Sequence, residues 1–170
     1  MASLAGNAVA GEIGRVDATA LNALGTECVG NDGVIYIYLQ GIASTLAGSW
    51  VSIGAVHVTA LLTTAASGRI AVASAAIGAA QFGWYAVQGN VTFALASSNG
   101  TIVSAGGQLA ACSTVPGQVV AHGTSTGSAV GDFIFGAYAY SAQPSSADDI
   151  IASVYLNRPF IAAAPVVASS

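Results

Sequence analysis

Five residues match a nucleophile pattern, Gly123-Thr124-Ser125-Thr126-Gly127, with His122 directly before them. In a nucleophile elbow the serine sits on a sharp turn between a strand and a helix, and the acid and the histidine follow it along the chain. Here Gly127-Ser128-Ala129-Val130-Gly131 opens no helical pattern, and no histidine follows position 122. The stretch reads as a Ser/Thr/Gly loop. His57, His122, Cys28 and Cys112 are scattered over 95 residues, whereas a zinc site needs three or four ligands at tight spacing. Asp148 and Asp149 are adjacent; neighbours on a strand point to opposite faces, so they read as a solvated loop pair and not as an acid/base pair. Lysine is absent, which removes any phosphate-cradling loop of the Gly-Lys-Ser/Thr kind. No catalytic, metal-binding or cofactor-binding constellation is found, and the chain reads as a non-enzyme.

The elements that could position such residues are short strands. Gly30-Asn31-Asp32-Gly33 is a turn signal, and it opens Val34-Ile35-Tyr36-Ile37-Tyr38-Leu39, a strand with apolar residues on both faces. Further strands are expected at 49–53, 56–62, 69–73, 84–88 with 90–96 continuing it, 101–104, 108–113, 118–122, 132–140 and 150–157, the last ended by Arg158-Pro159-Phe160. Asn99-Gly100 and Val115-Pro116-Gly117 are turn signatures between them. Strands of about five residues with turns every 8 to 12 residues predict an all-β fold: a single β-sandwich, jelly-roll-like or barrel domain. Residues 1–29 read as an extended N-terminal arm, with one or two helical turns at 18–24; residues 30–160 read as the body and 161–170 as a tail.

Composition narrows the function classes. The 170 residues are 54% hydrophobic and only 6% charged, with Arg15, Arg69 and Arg158 set against seven acids for a net charge of −4. An average soluble domain is about 25% charged. Without a basic footprint, nucleic acid is not an expected partner. Residues 70–87 form an uncharged run interrupted by Ser74, Gly78, Gln81 and Gly83, too broken for a spanning helix, and no membrane partner is expected. The first residues lack the charged and apolar regions of a secretory leader. Synthesis in a cytoplasm is therefore expected, with Cys28 and Cys112 as small buried residues rather than a disulfide. So few surface charges do little to keep monomers apart, and much of the surface is expected to be buried against other protein.

The most distinctive stretch, residues 68–89, reads as a hairpin. Its Phe82, Trp84 and Tyr85 are expected as core or subunit-interface anchors, and Leu21, Leu24, Arg158 and Phe160 complete the candidate interface residues. The aromatics as a set, among them Tyr36, Tyr38, Trp50, Phe133, Phe135, Tyr138, Tyr140 and Tyr155, could instead form an oligosaccharide platform, though aromatics concentrate in the cores and interfaces of β-proteins.

Taken in order, the Val-Ile-Tyr-Ile-Tyr strand, Gly-Ser-Trp, Gly-Arg-Ile-Ala-Val-Ala, Gln-Phe-Gly-Trp-Tyr-Ala-Val-Gln-Gly, Ala-Gly-Gly-Gln-Leu, Val-Pro-Gly-Gln-Val, Val-Gly-Asp-Phe-Ile and Asn-Arg-Pro-Phe resemble bacteriophage capsid decoration (cement) proteins. The resemblance covers roughly residues 30–160. It implies a non-enzymatic virion protein on the outer surface of an icosahedral capsid, a homotrimer that bridges neighbouring subunits of the major capsid protein, made in the host cytoplasm. The alternative reading is a phage tail or fibre adhesin that binds a host glycan.

Overall fold

In Ile35-Tyr36-Ile37-Tyr38-Leu39-Gln40 both alternating sets of side chains are large, and the structure buries both. The computed structural model describes residues 12–97, 104–122, 133–142 and 150–162. Those residues form strands and no helix: β1 (Val16–Asp17), β2 (Glu27–Val29), β3 (Ile35–Gln40), β4 (Trp50–Ile53), β5 (Thr59–Leu61), β6 (Gly68–Ala73), β7 (Phe82–Ala96), β8 (Gln108–Ala111), β9 (Val119–Ala121), β10 (Phe133–Ala139) and β11 (Ile150–Ile161). The chain is all-β across the described residues.

The 15-residue β7 organises the sheet. One of its edges carries β3, antiparallel from Gln40↔Phe82 to Ile35↔Gln88, and then β9 at Ala96. The opposite edge carries β6 at Tyr85 and Ala86, then β11 from Gln88 to Ala96. Six strands close a ring, β7–β9–β8–β10–β11–β6 and back to β7, so these strands form a barrel. Closure pairs strand edges that would otherwise be open to other chains.

A smaller closure sits beside it. β4 extends the sheet from β6 and β5 from β4, and the bridge Gln40↔Val58 brings β5 against the end of β3. Inside this curl Ile37, Leu39, Val51, Ala71, Ala73, Ile77, Tyr85 and Val87 form one core. The alternate residues of the same strands, Tyr36, Tyr38, Trp50, Ile70, Val72, Trp84 and Ala86, face the main core together with residues of β8 to β11. Two cores separated by one layer of strands account for apolar side chains on both faces.

The expected 68–89 hairpin is β6 and the start of β7, paired antiparallel through Val72↔Ala86. Two expectations need correction. No helical turn forms at 18–24. The strand expected to end at Arg158 instead runs on to Ile161, because Arg158 takes φ 47° and forms a bulge, a place in a sheet where the missing N–H of Pro159 is tolerated.

Of the segment expected as an arm, residues 1–11 lie outside the described residues, and 12–29 are built into the body. β1 pairs with β7 through Val16↔Gly83 and Asp17↔Phe82, and β2 pairs with β3. The Tyr38 hydroxyl donates to Asp17 Oδ2 at 2.8 Å and accepts from the Leu21 N–H at 3.2 Å. These ties are polar and long-range, so no apolar periodicity announces them. The Gly123–Gly127 motif, the acid pair at 148–149, the strand expected at 101–104 and most of the expected tail lie outside the described residues.

Candidate interaction surface

β10 has the sequence Phe133-Ile134-Phe135-Gly136-Ala137-Tyr138-Ala139. Plain alternation would send Phe135 and Tyr138 to opposite faces. The register instead shifts between Phe135 and Ala137. Gly136 at the shift has φ 73°, and a Cβ there would lie 2.5 Å from the Asn157 carbonyl oxygen, so only glycine fits. Across from it the Arg158 bulge makes the matching break in β11, leaving Phe135 opposite Phe160. Ile134, Ala137, Ala139, Val154, Leu156 and Ile161 then point into the main core. Phe135, Tyr138, Tyr140 and Phe160 are left outside, 41%, 42%, 62% and 46% exposed.

The outward rings form a strip. His122 meets Phe133 edge-on at 5.0 Å, Phe133 meets Phe135 edge-on at 4.5 Å, and Phe135 stacks on Phe160 at 4.9 Å with 10° between planes. Tyr138 and Tyr155 lie 5.2 Å apart at 31°. Contacts of this kind contribute about 0.5–1.5 kcal/mol each beyond the area they cover. The Phe135–Phe160 stack covers one face of each of these two rings.

The only charged residue in β10 or β11 is Arg158, and it is paired with an acid. Arg158 donates to both carboxylate oxygens of Glu27, at 3.0 and 2.8 Å, while Arg69 donates to Oε1 at 2.9 Å. Two of the three arginines thus converge on one carboxylate and tie β2 to β6 and β11. Hydrogen bonding by Arg158 holds the Glu27 carboxyl below its ordinary 4.5, with Arg69 adding to that effect and partial burial opposing it. A depressed folded-state value means that the contribution is complete above about pH 4.5 and is lost as pH falls through the folded value. The cluster is solvated, so its worth is below about 1 kcal/mol. Glu27→Gln should therefore lower the melting temperature slightly at pH 7, and by less at pH 3 as the native carboxyl begins to take up a proton below its ordinary value. Equal losses at both pH values would show that shape, and not charge, is what matters at position 27.

The seven expected interface residues are not brought together. Phe160 and Arg158 belong to the strip and its margin. Leu21 is exposed on the segment after β1, whereas Leu24 is half-buried against the main core. Phe82 is half-buried and stacks on Tyr38 at 6.4 Å. Trp84, 5.0 Å from Tyr38, lies in the main core, and Tyr85 in the second core. Consecutive residues of one strand thus anchor opposite interiors of the same subunit. Phe133, Phe135, Tyr138 and Tyr140, absent from the expected set, supply most of the strip. Their signal in the sequence is two aromatic pairs of period two, split by a glycine.

Among the described groups considered for chemistry, His122 packs against Phe133 in the strip, while His57, Cys28 and Cys112 make none of its ring contacts. His57 lies in the β4–β5 turn with φ 60°. Cys28 and Cys112 are free and buried, and burial, with Asp32 adding to it, pushes the Cys28 thiol up to about 11, which leaves it protonated at neutral pH. Among the described residues no three His, Cys, Asp or Glu side chains gather as a metal-binding group, and no helix is long and apolar enough to cross a membrane.

No protein-family model matches the chain, and no curated protein or solved structure matches it either.

Proposed function

We propose that this chain is a structural virion protein that decorates an icosahedral phage capsid, bridging neighbouring subunits of the major capsid protein as a homotrimer. The observation that carries the reading is the distribution of apolar surface. Large apolar side chains are exposed in several separate parts of the fold: the β10–β11 strip, Val29 on β2, Ile42 and Leu46 between β3 and β4, and Val56 in the β4–β5 turn. A chain that is only 6% charged has little charge repulsion to keep such surfaces apart. A subunit within a shell needs more than one apolar face, one towards its copies and one towards the lattice. Weak contacts suffice there, because a shell repeats each of them many times. On this reading the barrel body docks on the outer surface of the virion and has no catalytic role.

The glycan-binding adhesin draws less support. A sugar stacks on a free ring face, and one face each of Phe135 and Phe160 is taken up by their mutual stack.

Mixing the purified protein with undecorated heads assembled from the cognate major capsid protein, followed by electron cryomicroscopy, tests the reading. Added density should occupy fixed lattice positions at near-stoichiometric protein. Heads that stay bare at that ratio would overturn it.

A further inference from the structure

We propose that copies of this chain associate through the β10–β11 aromatic strip, which lies along the symmetry axis of the homo-oligomer so that each ring meets its own counterpart. The proposal names the self-contact within the decoration reading and rests on that reading only for its biological purpose.

Charge is the first argument. A contact at an axis places a charge lying on that axis opposite its own copy. The strip avoids this penalty. Its rings are uncharged, and the only charge in its two strands, Arg158, lies at the margin, where it shares the Glu27 carboxylate with Arg69.

Area is the second. The exposed parts of Phe135, Tyr138, Tyr140 and Phe160 amount to on the order of 400 Å² of ring surface per copy. That is about half of the ~800 Å² per partner in a standard interface. The strip has the size of an interface centre, with small and polar residues of the same face, such as Asn157 and Ser153, forming its rim.

The third argument is shape. The paired bulges at Gly136 and Arg158 hold Phe135, Phe160 and Tyr138 outward on one face. Rings packed against one another within the chain are already ordered, so little side-chain entropy remains to be lost on association. Their exposed parts can pack against those of another copy. A polar partner would leave this surface without use.

The test uses the full-length chain without capsid. Sedimentation velocity and light scattering over micromolar concentrations should give a mass of at least twice the 16.6 kDa of one chain. Phe135→Ser with Phe160→Ser should weaken association at least tenfold with the near-UV circular dichroism retained, and Val56→Ser, in the β4–β5 turn, should leave it unchanged. Tyr140 is the most exposed ring of the strip, so its replacement should not disturb folding. Tyr140→Asp and Tyr140→Lys should each be monomeric alone and should associate when mixed in equal amounts. A native chain that stays monomeric, a Phe135/Phe160 variant that associates as the native chain does, loss of association in Val56→Ser, or a Tyr140 mixture that stays monomeric would each overturn the proposal. Bare heads together with intact self-association would instead count against the decoration reading alone.

Discussion

Gly48→Ala is expected to destabilise the fold by about 3 kcal/mol or more, lowering the melting temperature by roughly 10 °C. Gly48 has φ 84°, a conformation that costs a residue with a side chain about 1–2 kcal/mol. An added Cβ would also collide with the carbonyl oxygen of Phe93 in β7. Relief would require a backbone shift, and the backbone is fixed on both sides: the Gly48 N–H donates to the Ala73 carbonyl at 2.8 Å, and the Leu95 N–H donates to the Gly48 carbonyl at 2.9 Å. Moving residue 48 therefore loosens its ties to both β6 and β7. Gly33 provides the internal comparison, because its φ is 78° with nothing within 4 Å of an added Cβ. Gly33→Ala should carry only the conformational cost, about 1–2 kcal/mol. Denaturant titrations of the two variants separate the effects; equal losses would remove the collision with Phe93 from the account.

Strand positions were the most legible part of the sequence, and the reasons are local. The turn at Gly30–Gly33 and the run that follows define β3 without any tertiary information, and the small-residue pattern of 68–89 defines β6 and the start of β7. Ring closure was not legible. It depends on pairs such as Val72↔Ala86 and Ala96↔Val119 together with the bridge Gln40↔Val58, and no local pattern encodes which edge meets which. The division of the interior into two cores follows from that closure. For the same reason Trp84 and Tyr85, adjacent and equally aromatic, could be ranked as anchors but not assigned to different interiors. Residues 12–29 were read as an arm because they lack apolar periodicity. What holds them is pairing with β7 and β3, packing of Ile13, Val16, Leu24 and Cys28 on the two cores, and two long-range polar contacts, the Tyr38–Asp17 hydrogen bond and the Glu27–Arg158 ion pair, 21 and 131 residues apart in sequence.

The candidate surface was legible in half. Arg158 and Phe160 were identified within a conspicuous Asn-Arg-Pro-Phe segment, which was read as the end of a strand. A left-handed arginine before a buried proline is a bulge only if a partner strand makes room for it, and that room is supplied by Gly136 in β10. The phase of Phe133, Phe135, Tyr138 and Tyr140 depends on the same glycine. Read with strict alternation, these four split between two faces and form no strip. The information is present in the sequence, but two bulges must be placed together before it can be used.

Trp50→Ala is expected to cost about 3–5 kcal/mol, the range for removing a fully buried tryptophan. Trp50 is 0% exposed in the main core. Its Nε1–H donates to the Leu95 carbonyl at 3.0 Å, its N–H to the Gly117 carbonyl at 2.8 Å, and its carbonyl accepts from the Leu62 N–H at 2.9 Å. One residue thus joins β4 to β7 through its side chain and to the turn before β9 through its backbone. Truncation removes the ring and leaves a cavity between the strands. Trp50→Phe separates the two contributions, since it keeps most of the apolar volume and loses the indole donor; its cost should be about 1–3 kcal/mol. Trp84, the other tryptophan and also buried, reports the fold in both variants, and its emission should stay blue-shifted until the denaturation midpoint. Gly48 and Trp50 hold the same stretch of β7, at Phe93 and Leu95, from two directions. Residues that share a partner do not contribute independently, so Gly48→Ala combined with Trp50→Phe should cost less than the sum of the two separately. Strict additivity in the double-mutant cycle would mean that the β3–β4 loop and the indole act on β7 as unconnected restraints.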